Sequence, residues 1–219
     1  MEDYPFLDQL LYPLFAALDA SAAADYVKAS QTIVPWAGVL HLIGISFLGG
    51  AVFMVDMRVL GAGITSRTPA DLNRTVRPLL VFALLLTMAS GSVLALGELM
   101  KLYYNPPYWL KMAALIAGLV FTFGVRDRLI DPEARGGWLT GLFALFALGF
   151  WGVAFWALSN DLARMALALL AGVLLVTLIW GWRTSPEAGK PALLVKGAAI
   201  VSIVMWLTVA ASGRWIAFY

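Results

Sequence analysis

Apolar residues run through this chain in long blocks, and most polar residues gather between them. A block of roughly 18 apolar residues is enough to cross the hydrocarbon core of a bilayer as a helix. The pattern predicts six spans, at about 32–57, 78–102, 107–125, 138–158, 162–182 and 195–214. These blocks are apolar on every side, whereas the strands of a membrane barrel alternate apolar and polar positions. In lipid, a helix satisfies all its backbone groups within one segment. The expected fold is an all-α integral membrane protein, with a six-span helix bundle over residues 32–219.

Residues 1–31 follow a different pattern. Phe6, Leu7, Leu10, Leu11, Leu14, Phe15 and Leu18 recur with helical spacing, which predicts an amphipathic helix lying on the membrane interface or on a partner. Glu2, Asp3, Asp8, Asp19 and Asp25 face a single cation, Lys28, so the segment is acidic. It lacks the positive n-region of a signal peptide. Between the first two spans, ITSRTPADLNRTVRP reads as a loop, with Thr68, Pro69 and Asp71 suited to a helix start. YYNPPYW reads as an aromatic, proline-rich turn at the membrane interface.

Composition sharpens this picture. The chain is 62% hydrophobic and 13% charged, about half the charge of a typical soluble domain. It has no cysteine, which excludes disulfides, thiolate metal sites, iron–sulfur clusters and c-type haem attachment. A formal charge of +2 gives no footing for nucleic acid. One set of connections carries Arg58, Arg67, Arg74, Arg77, Arg126, Arg128, Arg135, Arg183, Lys190 and Lys196; the opposite set carries Lys28, Lys101, Lys111, Arg164 and Arg214. The positive-inside rule places the richer set in the cytoplasm of a bacterial inner-membrane protein, with both termini periplasmic.

Ionisable residues inside spans point to function, and depth sorts them. His41 is the single histidine of the chain and lies roughly 9 Å below Pro35 along a helix. Glu98 near the end of the second span, Lys111 at the start of the third and Arg214 at the end of the sixth fall in the same layer. Gly38 and Gly44 flank His41 on its own face and admit a neighbouring helix or a flat ligand. Glu98 and Lys101 also form an i, i+3 pair, and Lys101 and Arg214 are placed to snorkel. Asp56 lies about 22 Å farther along the first span. With Arg58 it belongs to the opposite end, near Arg74 and Arg77, as a charge network fixing the helix end.

One histidine leaves three metal readings open: a five-coordinate haem, a histidine–methionine haem, or a copper site using methionine. The eight methionines show no dense cluster. A quinone partner, a proton relay and an interhelical hydrogen bond are the non-metal readings of His41. No nucleotide loop, Ser/His/Asp set or hydrolytic carboxylate pair appears.

HLIGISFLGGAVFMVDMRVLG resembles the first span of a largely uncharacterised bacterial membrane family of the copper-resistance D-like superfamily. The matching positions are His41, Asp56, Arg58, Leu60 and Gly61. WLKMAALIAGL, with Lys111, and AASGRWIAFY, with Gly213 and Arg214, resemble that family's third-span and closing segments. The resemblance covers about 32–128 and 191–219. Haem-containing protoporphyrinogen oxidases are distantly similar, with a histidine and a lysine placed like His41 and Lys111. The resemblance implies a haem b pocket or copper handling. Members often carry a further histidine where this chain reads FTFGVRDR, and most have four spans. The pair at 138–182 thus reads as an inserted hairpin, a surface for another subunit.

The expected role is a cofactor- or quinone-binding membrane subunit of a redox or metal-handling system, in contact with lipid and with other membrane or periplasmic subunits. His41 serves as ligand or proton acceptor, and as the metal ligand if a metal is bound. Lys111 and Arg214 neutralise an anionic group, and Glu98 balances charge. The alternatives are a non-catalytic structural subunit and a copper transporter.

Overall fold

The computed structural model describes residues 5–131, 138–159 and 193–219, and all regular structure among them is helical. Two helices precede the bundle, α1 (Pro5–Asp19) and α2 (Ala22–Ala29). Then come α3 (Ile33–Leu60), α4 (Pro69–Gly97), the short α5 (Leu99–Tyr103) and α6 (Pro106–Ile130). The last two are α7 (Trp138–Leu158) and α8 (Leu193–Trp215). Among the described residues five helices, α3, α4, α6, α7 and α8, are long and apolar enough to cross a membrane. The expected span at 162–182, the second half of the hairpin, lies outside the described residues.

Local chemistry sets the helix ends. α3 stops at Gly61, whose φ of 97° favours glycine. The Gly61 and Ala62 amides bond back to the Arg58 and Met57 carbonyls, closing the end as a Schellman turn. α4 starts at Pro69, earlier than the expected 78, because Thr68 accepts from the Asp71 amide at 3.1 Å and Pro69 occupies the first turn. Much of the expected loop is therefore a polar first stretch of helix, which turns Asn73 and Val76 inward. α4 ends at Gly97, and Glu98 breaks the chain before α5. Asn105 caps α6 by accepting from the Tyr108 amide, and its side chain also donates to the Ile216 carbonyl beyond α8.

α3 and α4 pack side by side, Leu48, Ala51, Val52 and Val55 against Leu72, Val76, Leu80 and Ala83. Close approach is possible because Gly44 has no side chain: a Cβ there would sit 2.5 Å from Thr87 Oγ1. A second core joins α6, α7 and α8 through Ala117, Phe121, Val125, Ala147, Ala198 and Met205. α8 also packs on α3 and so links the two halves. Large apolar side chains face outward along the bundle, among them Leu42, Leu85, Leu145 and Val153. Such a surface is expected of helices solvated by lipid.

The N-terminal segment forms two helices, parted at Ala20–Ser21, where Ser21 caps α2. Phe15 of α1 is buried against Leu99 and Tyr103, and the Tyr103 hydroxyl donates to Asp8. Leu10, Leu14 and Leu18 stay exposed.

Candidate cofactor site at His41 and Lys111

His41 projects from α3 toward α4 and α6. Its Nδ1 lies 3.0 Å from the Thr87 carbonyl and 3.2 Å from Ser90 Oγ. A carbonyl only accepts, so Nδ1 carries the proton. The Ser90 hydroxyl donates to the Leu86 carbonyl at 2.6 Å, which leaves its lone pair facing the imidazole. His41 Nε2 then holds the ring's free lone pair, and Lys111 Nζ stands 3.4 Å from it.

Small residues make room for this arrangement. A Cβ on Gly91 would lie 3.0 Å from His41 Cε1, and one on Gly213 would lie 3.6 Å from Lys111 Nζ. Gly91 thus admits the imidazole against α4, and Gly213 brings α8 onto the lysine stem. Gly38 has nothing within 4 Å among the described residues, so Gly44 alone of the expected flanking pair accommodates a neighbouring helix.

Of the four residues expected in this layer, the structure brings two together. Glu98 pairs instead with Lys101 at 3.5 Å and is exposed. Arg214 is exposed and lies 4.6 Å from the Phe218 ring centroid. Neither makes a hydrogen bond or ion pair with His41 or Lys111 among the described residues. Lys111, half-buried, forms no ion pair among the described residues.

The donor set decides what fits here. Among the described residues no group of three or more His, Cys, Asp or Glu side chains is gathered. Any metal ion at Nε2, copper included, would require the Lys111 ammonium 3.4 Å away to turn aside, since like charges would otherwise be opposed. An oxygen carrying full or partial negative charge suits the pair: Lys111 donates to it and the imidazole borders it. A haem at Nε2 would keep the Nδ1–H to carbonyl bond that orients ligating histidines, with Lys111 turned to a propionate.

A second polar centre lies at the other end of the bundle, where the sequence places a charge network around Asp56; what the sequence does not reveal is that Arg126 joins it. Arg126 and Asp56 have no exposed surface, and Arg126 Nη1 meets Asp56 Oδ1 at 3.1 Å. Arg126 also donates to Asp127 Oδ1 at 2.9 and 3.1 Å and to Asn73 Oδ1 at 3.3 Å. Arg77 approaches Asp127 Oδ2 at 3.6 Å. Two arginines thus face two aspartates. Arg58, the expected companion of Asp56, turns to the loop and donates to the Arg67 carbonyl.

Arg126 reaches the interior because α6 widens into a π-helical turn at Thr122–Arg126. Each residue advances a helix by about 100°, so one extra residue re-aims everything beyond it. Trp206 of α8 donates to Thr122 Oγ1 at 3.1 Å and supports that turn. The Ser202 hydroxyl of α8, also buried, interacts with the Asp56 carboxylate from the other side.

No curated protein and no solved structure matches this chain. A family model does, over residues 28–154, a stretch that holds His41, Asp56, Lys111 and Arg126. The chain therefore belongs to a family of unknown function (DUF6644).

Proposed function

We propose that this protein is an integral membrane subunit that holds a redox-active ring compound, a quinone or a haem b, between His41 and Lys111. The observation that carries this reading is the Lys111 ammonium, set in a spanning helix 3.4 Å from the His41 lone pair and with no carboxylate partner among the described residues. A cation at that depth calls for an anionic or strongly dipolar partner. A quinone supplies a carbonyl oxygen, and a haem supplies a propionate. The likeness of His41 and Lys111 to the placed histidine and lysine of protoporphyrinogen oxidases adds the haem alternative.

The setting follows from charge. Arg58, Arg67, Arg74, Arg77, Arg126 and Arg128 lie toward one end of α3, α4 and α6. That end faces the cytoplasm of a bacterial inner membrane, which puts His41 and both termini on the periplasmic side. Electrons would reach the ring through another subunit, and the exposed face of α7 is a surface for one.

The test is a titration of the detergent-purified protein with a short-chain quinone, read by tryptophan fluorescence. Saturable quenching that weakens at least tenfold in Lys111→Gln supports the reading. A second reading, a structural subunit whose polar layer only joins helices, is favoured by the bonds His41 already makes at both ring nitrogens. It predicts no saturable quenching and weaker helix packing in His41→Ala.

A further inference from the structure

The arginine-rich end carries a cavity of about 200 Å³ that is separate from His41 and takes no part in the reading above. It opens between α4 and the end of α6, lined by Asn73, Arg74, Arg77, Asp127, Arg128 and Asp131 with Ala70, Phe123 and Ile130. We propose that it binds a phosphate group, that of an anionic lipid or a free phosphate anion.

Three arginines, Arg74, Arg77 and Arg128, line the cavity, and the carboxylate contacts of the first two are loose. Arg74 meets Asp131 at 3.5 Å and Arg77 meets Asp127 at 3.6 Å, with both arginine side chains more than half exposed. Long, exposed pairs of this kind contribute little and exchange readily for a better anion. Asp127 is already committed to Arg126 on the inner side. Arg128 has no ion pair among the described residues and rests 5.3 Å from the Phe143 ring centroid. Planar guanidinium groups are matched to phosphate oxygens.

A neutral amide side chain also lines the cavity. Asn73 is 7% exposed, and its carbonyl oxygen is fixed by Arg126. The side-chain amide is therefore oriented, and Asn73 is among the residues that line the cavity. Level matters as well. From Pro78 the α4 sequence is free of charge until Glu98, so Arg74 and Arg77 stand where the apolar stretch begins, at headgroup depth. Basic clefts between spanning helices on this side suit anionic headgroups.

The full chain in neutral detergent is examined by native mass spectrometry with phosphatidylglycerol or phosphatidylcholine added. A parallel arm follows thermal unfolding against inorganic phosphate without lipid. One phosphatidylglycerol retained per chain in preference to phosphatidylcholine assigns the site to a lipid; saturable stabilisation by inorganic phosphate assigns it to a free anion. In either arm Arg77→Gln/Arg128→Gln weakens binding at least tenfold, and Lys101→Gln, at the opposite end, leaves it unchanged. Arg128→Gln alone spares the Arg77–Asp127 contact and weakens binding severalfold in a chain whose ion-pair network is intact. Equal retention of both lipids with no phosphate effect, or binding indifferent to these variants, overturns the proposal.

Discussion

Arg126 Nη1 and Asp56 Oδ1 lie 3.1 Å apart inside the bundle, and neither residue has exposed surface. The pair ties α6 to α3 at a depth where a lone charge is expensive. Removing one member leaves the other buried and uncompensated, which costs about 3–5 kcal/mol. Arg126→Ala is therefore expected to lose that much stability in denaturant titrations in detergent. The paired change Arg126→Met with Asp56→Leu should recover a large part of it, because Asp127 retains Arg77.

Glycine at 44 and at 91 governs two different things. A methyl at 44 meets Thr87 backbone and side chain at 3.2 Å or less, so α3 and α4 must part. Gly44→Ala is expected to cost about 1–3 kcal/mol, as for other overpacked contacts. At 91 the obstacle is the His41 ring, which can tilt. Gly91→Ala should fold with a near-normal unfolding midpoint yet weaken quinone binding at least fivefold in the fluorescence titration.

The N-terminal helix docks through Tyr103. Burial, with the hydrogen bond to Asp8, pushes the Tyr103 phenol from its usual value near 10 up to about 12. A raised folded-state value means that docking is fully supported below pH 10 and lost as pH climbs toward 12. Proteolysis within α1 should accelerate over that window. In Tyr103→Phe the acceleration should be present already at pH 8.

Orientation can be read directly, since the chain has no cysteine. Tyr26 in α2 and Ser66 in the α3–α4 loop are exposed. In intact spheroplasts an impermeant maleimide should label Tyr26→Cys, and should label Ser66→Cys only after permeabilisation. The reverse pattern would put His41 on the cytoplasmic side.

How far the sequence reaches depends on which coordinate is asked for. Depth follows from counting residues, and counting placed His41 and Lys111 at one level, where they meet. Direction around the helix axis does not follow, because α3 and α6 are apolar on nearly all sides and show no face. Glu98 and Arg214, expected at the same level, contact Lys101 and Phe218 instead. Arg126 falls one residue past the expected end of the third span, among the cations of a cytoplasmic connection; its inward aim depends on a π turn that apolar patterning does not record. The start of α4 was legible in Thr68–Pro69–Asp71, yet hydropathy placed the helix later because its first turns are polar.

Whether His41 holds a cofactor is decided on the protein purified in mild detergent. Absorption spectra are recorded oxidised and dithionite-reduced, with metal analysis and mass spectrometry of an organic extract of the same sample. About one haem or one quinone per chain is expected, seen as a Soret band that shifts on reduction or as an extracted quinone, and lost in His41→Ala. A colourless sample that yields neither haem nor quinone, or a cofactor retained in full by His41→Ala, would contradict the proposed role of His41.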